Sequence, residues 1–383
     1  MDFEYCLPIR LIFGRGKLDR LGEVVSDYGR KALIVTGRNS ARATGVLDRA
    51  LAGLERSRIE AVIFDRVESN PLTTTIQAGA QIALAEKSDV IVGIGGGSAL
   101  DAAKGIAFAA VNSGDLSEYI YGKPGVGALP IIAVTTTAGT GSEGDSLAVL
   151  THPLTKDKKS LKSPWLYPKA SIIDPELMMT LPPAVIAATG LDVLCHALEG
   201  FVSKRANPLT DAMAVKAIGW INRYLPRVYQ DPSDIEAWEA VAMANTLGGM
   251  IIDSAGVALL HGLEHPVSGL LDVTHGVGLA AMLVRFMEFS YPASPEKFAE
   301  VAAVMGADVS GKTLPEAAEA SIGAVRRLLD RVNLTPDLTG LGVEREMVDW
   351  LAENSEKTMR YALDNSPKVP TLQEIKELYL SCL

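Results

Sequence analysis

The chain has 383 residues, 48% of them hydrophobic and 21% charged, enough apolar material for about two packed domains and too much for a disordered chain. A formal net charge of −10 argues against nucleic acid or an anionic membrane as a partner. Three scattered cysteines with no C-x-x-C fit a reducing cytoplasm, and residues 1–10, acidic and without an apolar core, are not a signal peptide.

Residues 11–14 read as a short strand, and residues 31–36, closed by Gly37, as a stronger one. A helix over 40–54, a strand over 60–64 and a helix over 73–86 follow. The strand over 90–94 ends abruptly in Gly95-Gly96-Gly97-Ser98, and a helix is expected over 99–111. Strands over 130–134 and 168–174 complete this half. Near-continuous apolar strands alternating with amphipathic helices predict a parallel sheet covered on both faces. Consecutive glycines between a buried strand and a helix let backbone N–H groups approach an anion, and the helix N-terminus adds roughly half a positive charge. Diphosphate binding is the natural use, and a merely steric turn the alternative. Neither G-x-G-x-x-G nor a Walker P-loop occurs in standard form. A second polar turn over 135–143, TTTAGTGSE, adds hydroxyls and glycines at the end of a neighbouring strand, which marks a ligand crevice.

Pro182-Pro183 marks a helix start and the expected junction between domains 1–180 and 181–383. Helical periodicity then covers 211–223, 232–254, 276–289, 295–305, 314–332, 345–356 and 372–381, so the second domain is expected to be all-helical. The long apolar stretch 241–263 is interrupted by Asp253 and glycines and reads as buried helix rather than a membrane span. Four of the five histidines, His196, His261, His265 and His275, fall in or beside 190–199 and 252–276. Asp192 lies four residues before His196, and His261 four before His265, so each pair shares one helix face. A rare residue gathered this way, with a carboxylate at helical spacing, points to a transition-metal site, the bland alternative being core histidines with one hydrogen bond each. His261-Gly-Leu-Glu264-His265 also matches the H-x-x-E-H pattern of inverted zinc proteases, with Glu264 as general base. Cys195 points about 100° away from His196 around the helix and reads as packing.

Four motifs stand in one order: Gly95-Gly-Gly-Ser98-x-x-Asp101-x-x-Lys104, Thr136-Thr-Ala-Gly-Thr140-Gly-Ser-Glu143, Gly190-x-Asp192-x-x-x-His196-x-x-Glu199 and His261-x3-His265-x9-His275-Gly. Together they resemble the iron-dependent (group III) alcohol dehydrogenase family over essentially the whole chain. The resemblance implies a dehydroquinate synthase-like architecture, an α/β dinucleotide-binding domain with a parallel sheet followed by an all-helical metal-binding domain. It implies that Asp192, His196, His261 and His275 ligate a divalent metal, Fe2+ being expected and Zn2+ the alternative. His265 would stand beside metal and nicotinamide as a proton relay without being a ligand. Gly96, Gly97 and Ser98 would hold the cofactor diphosphate, with Thr136 and Thr137 near the adenosine half and Asn70-Pro71 forming the loop over it. Lys158, in a Lys-rich run otherwise read as a solvated face, matches a lysine that contacts the cofactor ribose. The implied activity is hydride transfer between NAD(P) and a metal-bound short alcohol or aldehyde, in a homodimer or higher homo-oligomer. A zinc glycerol dehydrogenase-like enzyme, a dehydroquinate synthase and a non-enzymatic metal or nucleotide sensor are the alternatives; a protease offers no account of the first 180 residues.

Sites selecting NAD usually place a carboxylate on the adenine ribose 2′-OH. Here the first strong strand ends in Gly37-Arg38-Asn39-Ser40, where NAD-preferring relatives commonly carry Asp at the first position. With that carboxylate missing, Arg38 is available for charge-assisted bonds to a 2′-phosphate, and NADP(H) is expected to be preferred over NAD(H). Two departures from the family stand out. Gly144-Asp145 replaces the usual small apolar residue and Thr, which puts direct transfer of substrate preference in doubt, and the late Asn-Pro-Arg element reads Asn365-Ser366-Pro367-Lys368.

Overall fold

A six-stranded, wholly parallel sheet is the centre of the first unit, Cys6–Leu181, in the computed structural model, which describes residues 2–383. In chain order the strands are β1 (Arg10–Phe13), β2 (Lys31–Gly37), β3 (Glu60–Val67), β4 (Val90–Gly95), β5 (Ile131–Thr135), β6 (Leu147–Thr151), β7 (Lys158–Lys162) and β8 (Ala170–Ile173). The sheet order is β1-β8-β5-β4-β2-β3, and β6 with β7 makes a separate antiparallel hairpin. Helices α1 (Leu21–Ser26), α2 (Ser40–Ala43), α3 (Val46–Arg56), α4 (Thr73–Ala85), α5 (Gly97–Ala109) and α6 (Leu116–Ile120) complete the unit.

The apolar strands are continuous because both faces are buried. Ile34, Val92, Val134 and Ile172 pack on one side with Leu21, Val24, Leu47 and Leu54. Their neighbours Leu33, Val35, Ile91 and Ile131 pack on the other with Ile76, Ile106 and Phe108. Alternation along each strand thus serves two cores rather than a core and solvent. From β2 the chain moves outward to β3, then returns to the far side of β2 with β4 and continues to β5 and β8. The direction of winding reverses between β2 and β4, whose paired residues run to Thr36↔Ile94. In open α/β sheets the crevice beyond the carboxyl ends at such a reversal takes the ligand.

The hairpin was not expected. The run Lys156 to Lys162, read apart from Lys158 as a solvated face, is strand from Lys158 onward: Lys158 is buried in β7 while Lys162 is exposed.

The second unit, residues 182–383 with residues 2–5, is helical. Its helices are α7 (Pro183–Val202), α8 (Pro208–Gln230), α9 (Ile235–Ala255), α10 (Leu259–Leu271), α11 (His275–Ser290), α12 (Pro295–Val304), α13 (Leu314–Arg331), α14 (Val348–Asn365) and α15 (Leu372–Ser381). Pro183 opens α7 where its missing N–H costs nothing, and Asn207 closes a capping box with Thr210 at the start of α8. Helix α7 is long and apolar enough to cross a membrane, but 89% of that window is buried, as in a core helix. The stretch 241–263 is two helices, α9 and α10, meeting at 104° beyond Gly256, whose φ of +73° suits glycine. Helix α8 outruns its expected end, continuing through Pro226, because Leu225 and Val228 remain buried.

Candidate active site

Three helices bring the metal-ligand candidates together. Asp192 and His196 lie one turn apart on α7, His261 and His265 one turn apart on α10, and His275 opens α11. Helix α11 can approach α7 closely because the next residue is Gly276, where a Cβ would overlap the backbone carbonyl of Ala188. The Nε2 atoms of His196, His261 and His275 lie 3.5, 3.7 and 3.8 Å from Asp192 Oδ1. Ligand atoms about 2.1 Å from a tetrahedral ion stand roughly 3.4 Å from one another. Asp192, His261 and His275 offer ligand atoms all within 4.8 Å of one another, and His196 adds its Nε2 beside Asp192 but lies outside that set.

Hydrogen bonding supports the same conclusion. Asp192 Oδ1 and His261 Nε2 are buried without a hydrogen-bond partner. Each orphaned group costs about 1–3 kcal/mol unless something else satisfies it. A cation does so for a carboxylate oxygen and an imidazole lone pair at once. His261 Nδ1 bonds to Glu199 Oε2, and His275 Nδ1 to Glu264 Oε2. Both carboxylates are themselves fixed: Glu199 Oε1 accepts from the backbone N–H of Ala258 at 3.0 Å and of His261 at 3.2 Å, and Glu264 Oε1 from the Ser268 hydroxyl. Each therefore holds the proton of its imidazole on Nδ1 and leaves Nε2 for an ion. These two glutamates were not singled out as orienting residues. The available signal was position, since each follows a histidine by three residues on a helix interior.

Burial pushes His196 down to about 4, so it is neutral and ready to ligate at pH 7. Burial would also push Asp192 up, but the imidazoles around it hold its carboxyl well below the usual range. For His261 burial works downward, yet Glu199 and Asp192 raise it to about 10. Without a cation that ring carries a second proton. His265 lies within the cluster, its ring centroid 6.0 Å from that of His261 and 5.5 Å from that of His275. Glu264, His265 and His275 also offer ligand atoms within 4.8 Å of one another. That set is the poorer one, since both Glu264 oxygens are already engaged. Cys195 is buried and belongs to neither group. The fifth histidine, His152, is structural: its Nδ1 accepts from the N–H groups of Leu154 and Thr155 at 3.2 and 3.1 Å in the hairpin turn.

In the other unit the cofactor candidates collect at the carboxyl ends of the strands. Gly37 and Arg38 end β2, and beside them Gly95, with φ +152°, turns β4 into α5 through Gly96, Gly97 and Ser98. The Thr136 N–H bonds to the Gly95 carbonyl at 2.9 Å, which brings Thr136 and Thr137 alongside. A Cβ on Gly96 would meet Thr137 Oγ1 at 2.7 Å, and one on Gly97 would overlap Thr140. The Ser98 hydroxyl donates to the Ser69 carbonyl, fixing the loop that carries Asn70. Thr151 N donates to the Pro71 carbonyl at 2.8 Å and pairs across the hairpin with Lys158, so Lys158 joins the same end. Gly37, at the end of β2, is half-buried, and Arg38 after it is exposed.

Two sequence models cover the chain: iron-containing alcohol dehydrogenase over residues 8–175, and the C-terminal region of the same family over residues 186–383. The chain belongs to the iron-containing alcohol dehydrogenase family. It is 39% identical to a 1,3-propanediol dehydrogenase of Klebsiella pneumoniae over 380 residues, 98% of either chain. To the NAD-dependent methanol dehydrogenase of Bacillus methanolicus it is 34% identical over 385 residues, 99% of this chain and 100% of that one. An archaeal halo-thermophilic alcohol dehydrogenase from a Red Sea brine pool superposes with a TM-score of 0.97 at 34% identity, over 100% of this chain and 99% of the other. The family has the expected architecture, a parallel-sheet domain followed by a helical one, and its members are metal-dependent oxidoreductases that interconvert alcohols and carbonyl compounds with NAD(P). A protease has no place here, since Glu264 orients His275 instead of facing a water.

Proposed function

We propose that this alcohol dehydrogenase holds Fe2+ on Asp192, His196, His261 and His275 and reduces short aldehydes with a preference for NADPH. The observation that carries the reading is the convergence of three Nε2 atoms on Asp192 Oδ1. Once bound, the ion polarises a carbonyl as a Lewis acid and the nicotinamide supplies hydride. The chain's own work is orientation and proton supply. Glu199 and Glu264 keep two imidazoles in the ligating tautomer. Three imidazoles and one carboxylate suit iron, with zinc as the second choice. His265, buried among them, is the residue to deliver a proton to the nascent alcohol.

On the cofactor side, Gly96, Gly97 and Ser98 hold the diphosphate with backbone N–H groups at the start of α5. Thr136, Thr137, Asn70 and Lys158 flank the rest of the dinucleotide. NADP preference rests on Gly37 and Arg38. A Cβ at Gly37 would find only ordinary contacts, with Ser40 Oγ and the Val67 carbonyl each at 3.8 Å, which leaves room for a phosphate. Three unpaired cysteines fit a cytoplasmic enzyme, and a homodimer or larger homo-oligomer is expected, checked by sedimentation velocity.

The decisive experiment is steady-state kinetics of the iron-loaded enzyme with short aldehydes, comparing NADPH with NADH. We expect kcat/KM to favour NADPH, Gly37→Asp to reverse the ratio, and a chelator to abolish turnover. A wild-type preference for NADH would refute the cofactor assignment. His265→Ala should lower kcat while keeping its metal, and an unchanged pH–rate profile would remove the relay.

A further inference from the structure

One departure from the family pattern lies in a buried network that the catalytic reading does not use. Lys104 is wholly buried on α5. Its ammonium donates to Asp145 Oδ1 at 2.6 Å, to the Asp145 carbonyl at 3.1 Å and to the Leu147 carbonyl at 2.8 Å. One turn earlier on the same helix, Asp101 accepts from the Ser142 hydroxyl at 2.7 Å and from the Val149 N–H at 3.1 Å. Asp145 Oδ1 also accepts from the Leu147 N–H at 2.8 Å, closing its own turn. The connection from β5 into β6 is thereby pinned to α5 at Ser142, Asp145, Leu147 and Val149. The upstream part of the same connection supplies Thr137 and Thr140, which pack on Gly96 and Gly97.

We propose that Asp145 is a positioning residue for dinucleotide binding: held by Lys104, it fixes the connection that walls the glycine turn at the start of α5. The proposal rests on the reading of Gly96 to Ser98 as the diphosphate site. A site whose wall is already ordered does not have to order it on binding, and that difference appears in affinity. Where the family usually has Thr, a hydroxyl can take one bond from Lys104. The Asp145 side chain takes one from Lys104 and one from the Leu147 N–H on the same oxygen, which ties the ammonium and the turn together.

The test is fluorescence titration of full-length protein with NADPH and NADH, alongside kinetics and thermal melting. Asp145→Ala should raise Kd and KM for the dinucleotide about tenfold, with kcat at saturating dinucleotide moving less than about twofold. Asp145→Asn, whose amide oxygen still accepts from Lys104 and Leu147, should recover to within about threefold of wild type. A purely structural role would lower the melting temperature of both variants and leave Kd unchanged, and that result overturns the proposal. Should Asp145→Ala not fold, Asp145→Thr takes its place with an expected loss of at least about threefold, and wild-type affinity in it again overturns the proposal. A wild-type chain that binds neither dinucleotide overturns the diphosphate reading together with this one.

Discussion

His261 is where the chemistry of a single residue reaches the binding of an ion. Its raised value of about 10 means that the metal-free protein holds a proton on this ring through the neutral range. An ion must displace that proton, because Nδ1 is committed to Glu199 and only Nε2 is left. The sign follows: affinity for the metal rises with pH up to about 10 and falls as pH drops. His196, pushed down to about 4, adds no proton to the exchange near neutrality. Titration calorimetry with Zn2+ as a redox-inert probe, in two buffers of different ionisation enthalpy, should report about one proton released per ion. A pH-independent affinity would show that His261 carries no second proton in the metal-free protein. The metal candidates were legible in the sequence because histidine is rare and the spacing of four is helical. Glu199 and Glu264 were harder to see: glutamate at helical positions is ordinarily solvent-exposed, and only burial shows that these two face inward.

At the scale of elements, the site depends on how near α11 comes to α7. Gly276 makes that approach possible, since any side chain there would overlap the Ala188 carbonyl one turn before Asp192. Gly276→Ala should push the helices apart, destabilise the unit by about 1–3 kcal/mol and draw His275 away from Asp192. Melting temperature and metal affinity should fall together, measured by calorimetry and competition with a chromogenic chelator. Lowered stability with intact affinity would mean that His275 is dispensable as a ligand. The parallel sheet was legible for a related reason: β2, β4 and β5 are apolar at successive positions, which only burial on both faces explains. The β6–β7 hairpin escaped notice because its second strand is written in lysines. Lys158 is buried and Lys162 exposed, and a lysine-rich composition gives no sign of a buried strand end. Asp145 was noticed as a departure, but its partner Lys104 is 41 residues away and only the fold joins them.

For the molecule as a whole, the two ligands are assigned to different units. Every metal candidate lies within 182–383, and every dinucleotide candidate within 6–181. A ligand that binds only the native form at 100 times its Kd stabilises the structure it needs by about 2.7 kcal/mol, slowing exchange through that opening roughly a hundredfold. Hydrogen exchange read by mass spectrometry should therefore separate the two. Fe2+ should protect α7, α10 and the start of α11, which carry its candidate ligands. NADPH should protect the turn from Gly95 to Ser98 and the connection from Thr136 to Val149. If the metal instead slowed exchange in β2 and β4 as strongly as in α7, the units would open as one, and local protection would no longer locate either site. Protection by NADPH confined to the helical unit would contradict the placement of the diphosphate at α5.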